Sequence, residues 1–136
     1  MIVVDTSAII AILYREAEFD QFVQLITDSD SCFLSAVSYF EASMVLIGRA
    51  TPEAGIELDS FLERVGIEFV PFDQEQAKRA RDAFARFGRG RHPARLNFGD
   101  CVSYALAQER GLPLLYKGED FAKTDVVSAV RRSASG

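Results

Sequence analysis

Four short apolar runs punctuate the chain at Ile2–Val4, Cys32–Leu34, Ile67–Val70 and Leu114–Tyr116, and helical periodicity fills the stretches between them. Apolar runs of this length, rich in β-branched and aromatic residues, read as buried strands. Strands that alternate with helices return to the sheet in the same direction. The alternation therefore predicts an α/β fold with a mainly parallel central sheet. Val126–Val130 is expected as a last edge strand, and residues 131–136 as a flexible tail, frayed over Ser133–Gly136.

The helices carry start and stop signals. Thr6 or Ser7 is placed to cap a helix over Ala8–Leu13, and Phe19, Phe22, Val23 and Ile26 share one face of the next. A third runs from about Ser38 to Gly48, with Tyr39, Phe40, Met44, Val45 and Leu46 as its apolar surface. Thr51-Pro52-Glu53 combines an N-cap, a proline at the first helical position and an acid near the positive dipole end. That helix bears Leu58, Phe61, Leu62 and Val65 on one stripe and stops at Gly66. Asp73 caps a helix on which Ala77, Ala80, Phe84 and Phe87 share a face. A last helix, about Asn97 to Arg110, turns Phe98, Val102, Ala105 and Leu106 inward and ends at Gly111.

With 136 residues, 49% of them apolar, the chain is expected to form a single domain over 1–136 with a proper core. No run approaches the roughly 20 apolar residues of a membrane span, and no secretory leader is expected. Cys32 and Cys101, the only cysteines, lack metal-ligand spacing and suit a reducing, cytoplasmic setting. A net charge of −5 argues against broad electrostatic binding of nucleic acid, though not against a local basic groove.

Acids recur where the strands end or the helices begin: Asp5, Glu41, Asp100 and the pair Glu119/Asp120. Open α/β sheets place their ligands at the C-terminal ends of the strands, so these positions converge on one edge. Several carboxylates in one pocket repel one another unless a cation joins them. Hard divalent ions take such oxygen ligands, and metal-assisted phosphodiester hydrolysis uses such a site. Each acid also has a backbone role open to it. Ser38-x-x-Glu41 fits a capping box, Asp5 could cap the first helix, Asp100 complements a helix dipole, and Glu119 and Asp120 suit a turn.

Arg86, Arg89, Arg91, His92 and Arg95 form a basic segment without an acid, just ahead of Asp100. In an acidic protein this is the natural place for phosphate contacts. The alternative is a solvated loop paired with surface acids. His92 is the only histidine, so a His-based metal site or triad has little support. Cys101 reads as a packed thiol. The glycines match neither a P-loop nor a dinucleotide fingerprint. A receiver-like phosphoacceptor domain also gathers acids at strand ends, but no clear mid-chain strand here ends in an acceptor aspartate.

The segments VVDTSAIIAIL, SAVSYFEASMVL, GRGRHPARLNFGDCVSYALA and LPLLYKGEDFAKTDV span nearly the whole chain. In this order the chain resembles the PIN-domain nucleases, and among them the VapC-type toxins of bacterial toxin–antitoxin systems. The resemblance implies a three-layer α/β/α sandwich and an endoribonuclease dependent on Mg²⁺ or Mn²⁺. It implies metal-activated water as the attacking group, and tRNA or another structured RNA as substrate. Asp5 and Asp100 match direct metal ligands. Glu41 matches a ligand or the residue that orients water, and Asp120, favoured over Glu119, matches the fourth acid. Thr6, Ser7 and Asn97 match supporting polar positions. A homodimer and a neutralising VapB-like antitoxin are implied as partners. The competing reading is a PIN-like binding module that acts through its partner with weak or no catalysis.

Overall fold

A computed structural model describes residues 1–130; the tail expected at 131–136 lies outside the described residues. Strands β1 (Ile2–Val4), β2 (Cys32–Ser35), β3 (Glu68–Val70) and β4 (Leu114–Leu115) form one sheet in the order β3-β2-β1-β4. Every pairing is parallel. Val3 lies between Phe33 and Leu114 in register, which puts β1 at the centre of the sheet. The helices are α1 (Thr6–Leu13), α2 (Phe19–Asp28), α3 (Ala36–Arg49), α4 (Glu53–Val65), α5 (Gln74–Phe87) and α6 (Phe98–Arg110).

Side chains alternate across the strands and so build two cores. Ile2, Val4, Cys32, Leu34 and Leu115 pack with residues of α1, α2, α3 and α4. Val3, Phe33, Val70 and Leu114 pack with residues of α5 and α6. A parallel sheet needs cover on both faces, and this division supplies it: the fold is α/β in three layers, as expected. Gly66 and Gly111 end α4 and α6 with left-handed φ of 71° and 64°, as their positions suggested.

Several local expectations are corrected. α1 begins at Thr6, because the Asp5 carboxylate itself accepts the Ser7 N–H. α3 begins three residues earlier than Ser38-x-x-Glu41 implied. Ser35, the last residue of β2, caps it by accepting the Val37 N–H. Ser38 is therefore inside the helix, and Glu41 has no capping partner to satisfy. α4 begins at Glu53 with Pro52 at the cap position and no side-chain cap. The expected edge strand at Val126–Val130 is reduced to a single parallel bridge between Leu114 and Ser128. Phe40, Met44, Phe84 and Phe98, counted as apolar surface for the core, are exposed; Phe98 is 74% accessible.

Candidate active site

Asp5 sits one residue past the central strand and is 3% exposed. Burying a carboxylate is costly unless donors meet it. Its Oδ2 accepts the Ser7 N–H at 2.9 Å and the Ser7 hydroxyl at 2.6 Å. Its Oδ1 accepts the Ser103 hydroxyl at 2.5 Å, across 98 residues of sequence. Ser7 in turn accepts the Lys117 N–H at 3.0 Å, which ties the end of β4 to the carboxylate. Thr6 turns the other way and donates to the Ser38 carbonyl at 3.1 Å.

Asp100 is carried by the first turn of α6. Asn97 caps that helix by accepting the Asp100 N–H at 2.9 Å, while Asp100 Oδ2 accepts the Asn97 N–H at 3.1 Å. Asp100 therefore does more than complement the helix dipole: it closes a capping box with Asn97, which occupies one carboxylate oxygen. The acid pays heavily for its place. Burial pushes its carboxyl up to about 7, against the Asn97 hydrogen bond, and the charges of Asp5, Asp120 and Glu41 add to the rise.

Glu41 lies in the second turn of α3, and its carboxylate rests on the backbone of Gly99. A methyl group at position 99 would overlap all three carboxylate atoms. The absence of a side chain at Gly99, and not an unusual backbone angle, is what leaves room for Glu41 in this position. Burial raises the Glu41 carboxyl, with the Thr6 hydroxyl opposing and the Asp5 charge adding. Asp120 adjoins the 3₁₀ turn Phe121–Lys123. Its charge is felt at Asp100; that of Glu119 is not among the causes acting there.

The acids from four separate stretches thus share one electrostatic environment. Ion pairs among the described residues link Arg79, Arg86 and Lys117 to other acids, and none involves Asp5, Glu41, Asp100 or Asp120. The donors are carboxylate oxygens with hydroxyls behind them, which fits a hard divalent cation. Among the described residues no three acidic, histidine or cysteine side chains already close on one point as a metal cage. Cys101 is buried, and burial followed by the Asp100 charge pushes its thiol up to about 11, which disfavours the thiolate and fits the packed thiol expected from the sequence.

The basic segment divides. Arg86 is engaged by Asp82 and Asp125, and it donates to the Tyr104 hydroxyl at 3.4 Å. Arg91 directs Nε to the Ala85 carbonyl at 3.0 Å, with the rest of its guanidinium exposed. His92 accepts the Ala94 N–H through Nδ1 and meets the Phe87 ring edge-on. Arg89 and Arg95 are exposed. The loop is closed by hydrogen bonds from Arg89 N to Leu96 O and from Leu96 N to Phe87 O. It runs directly into Asn97, the cap of α6, so its arginines are anchored beside the acidic end of that helix. Ser103 is the site residue that the sequence pattern did not reveal.

The chain matches the PIN domain family over residues 2–127. It is 47% identical over 131 residues to the Ribonuclease VapC28 of Mycobacterium tuberculosis, covering 96% of this chain and 98% of that one. It is 44% identical over 126 residues to a Ribonuclease VapC of Mycolicibacterium smegmatis, covering 93% of this chain and 98% of that one. Its fold is similar to the crystal structure of Mycobacterium tuberculosis VapC20, a toxin that cleaves the sarcin–ricin loop. The TM-score is 0.78 at 19% identity, over 97% of this chain and 100% of the other.

Proposed function

The chain belongs to the PIN-domain family, and from that premise we propose that it is a metal-dependent endoribonuclease, the toxin of a toxin–antitoxin pair. The observation that carries this reading is that the start of α6 brings three acids together, Asp100 in its own first turn, Glu41 against Gly99 and Asp5 held by Ser103, with no ion pair among the described residues engaging any of them. Curated relatives over nearly the full length are named as ribonucleases. Asp5, Asp100, Asp120 and Glu41 would hold the ion, for which we name Mg²⁺ or Mn²⁺. When bound, such an ion supplies positive charge to the phosphodiester and offsets the repulsion among the acids.

The remaining work falls to the chain. Asp5 is kept in one orientation by Ser7 and Ser103, and Asp100 by Asn97. Glu41, raised by burial, is suited to orient water and to take its proton. Arg89, Arg91 and Arg95 offer exposed guanidinium groups to phosphate, while His92 supports their loop. Arg86 is better described as a strut between α5, α6 and Asp125. A structured RNA, such as tRNA, is the substrate class we favour. A VapB-like antitoxin is the partner, since solved toxin–antitoxin complexes share the fold, and a homodimer is the form we expect of the toxin. An arginine from the antitoxin would enter the acidic pocket in place of the ion. The unit is one domain. Two free, buried thiols suit the cytoplasm, and among the described residues no helix is long and apolar enough to cross a membrane.

Chelation with EDTA is expected to abolish cleavage of RNA by the purified protein, and added Mg²⁺ or Mn²⁺ to restore it. Cleavage that survives exhaustive chelation would rule out the metal-dependent reading. Arg91→Ala is expected to weaken RNA binding several-fold and to reduce its salt dependence by about one phosphate contact, with metal binding unchanged. A filter-binding titration over a range of salt concentrations checks this. Lost metal affinity with unaltered RNA affinity would contradict it.

A further inference from the structure

Ser103 is 1% exposed, one turn beyond Asp100 on α6. Its neighbours on the helix are Val102 and Tyr104, and nothing in that apolar pattern calls for a hydroxyl. A buried hydroxyl without a partner is destabilising. Here it has two: Asp5 Oδ1 at 2.5 Å and Ser38 Oγ, on α3, at 3.3 Å.

Proton bookkeeping sets the direction of this chain. Each serine hydroxyl has one proton to donate, and an ionised carboxylate has none. Ser103 therefore donates to Asp5, and only its lone pairs remain for Ser38. Ser38, itself 1% exposed, must be the donor to Ser103. A relay runs Ser38 to Ser103 to Asp5 Oδ1. A second runs from the Lys117 N–H to Ser7 to Asp5 Oδ2. The carboxylate is gripped at both oxygens by hydroxyls that are themselves held.

We propose that Ser103, backed by Ser38, is a positioning residue that fixes the direction in which Asp5 offers its remaining lone pair, on Oδ1, to a divalent cation. The inference rests on the metal-dependent reading above. Asp100 and Ser103 stand three residues apart on one face of α6. The helix that carries one acid thereby aims the other, and a movement of α6 shifts both together. Partners that orient metal ligands typically alter metal affinity by 10- to 100-fold when removed.

The test is a titration of Mn²⁺ against the RNA-free protein, read as the shift in thermal melting, for wild type, Ser103→Ala, Ser103→Cys, Ser38→Ala and Asp5→Asn. Circular dichroism without metal establishes that each variant is folded. Ser103→Ala and Ser103→Cys are both expected to need about tenfold more Mn²⁺ for the half-maximal shift, and Ser38→Ala about threefold more. Cysteine preserves the packing but is a weak donor, so its agreement with alanine assigns the effect to the hydrogen bond. Wild-type Mn²⁺ affinity in Ser103→Cys overturns the proposal, whatever alanine does. Should Ser103→Ala fail to fold, Ser103→Cys and Ser38→Ala decide in its place. Asp5→Asn is expected to lose the metal-dependent shift. If it keeps that shift, the metal reading itself falls, and Ser103 with it; if only the serine variants behave as wild type, the metal reading stands and Ser103 is merely structural.

Discussion

Asp100→Asn is expected to stop RNA cleavage while making the metal-free protein more stable. The amide keeps an oxygen for the Asn97 N–H, so the cap of α6 survives. What disappears is a half-buried charge whose carboxyl stands at about 7 in the fold against 3.8 in its ordinary state. The folded protein holds that proton more tightly than the unfolded chain. Without metal, stability is therefore highest below about pH 3.8 as far as this group is concerned, and falls as pH rises through about 7. A shift of this size would correspond to about 4 kcal/mol at full burial. Partial exposure reduces it to about 1–2 kcal/mol. The substitution should raise the metal-free melting temperature at pH 8 by several degrees and flatten its dependence between pH 4 and 7. Cleavage should fall at least a hundredfold, since even residues behind metal ligands have effects of that order. Melting curves in EDTA at several pH values, with parallel cleavage assays, check both arms. A destabilised variant, or one that still cleaves, would contradict the assignment of Asp100 as a ligand in a mutually repelling set.

Gly99→Ala separates function from stability in a different way. Alanine is favoured over glycine within a helix by about 1 kcal/mol. At this position the added methyl overlaps the Glu41 carboxylate, which lies at the end of a flexible side chain. Glu41 can therefore move aside at little cost to the fold, and the melting temperature should change by only a few degrees. The displaced carboxylate no longer faces Asp5 and Asp100, and cleavage should fall about a hundredfold, the scale of losing proton transfer by one positioned group. Combining Gly99→Ala with Glu41→Asp, which shortens the side chain, should return part of the lost rate. Unchanged cleavage in Gly99→Ala would remove Glu41 from the reaction.

The layout of the fold was legible because its signals are local and redundant. Ile2–Val4 and Cys32–Leu34 are short apolar runs of β-branched and aromatic side chains, and Gly66 and Gly111 are stops of a familiar kind. The acids were legible because parallel topology carries strand ends to one edge. Ser35 lost to Ser38 as the cap of α3 because Ser38-x-x-Glu41 imitates a capping box, and only the length of β2 decides between them. Phe40, Phe84 and Phe98 looked inward because helical periodicity counts every apolar residue as core. Ser103 was illegible for a deeper reason. Its meaning lies in Asp5, 98 residues away, and no spacing within α6 announces that contact.

The central position of β1 has a consequence for how the chain comes off the ribosome. Asp5 is made before the other acids, but its strand stays unpaired on one side until Leu114 and Leu115 dock, and α6, which holds it through Ser103, is made only shortly before them. Such non-local closure is a late event in folding. A nascent chain that has reached only α5 has neither Asp100 nor Ser103, so with the site assigned as proposed above a product that stops there would be unable to cut the RNA around it. On the reading proposed above, competence to cut arrives only after α6 and β4 have been made, when the opposing partner needs to be at hand.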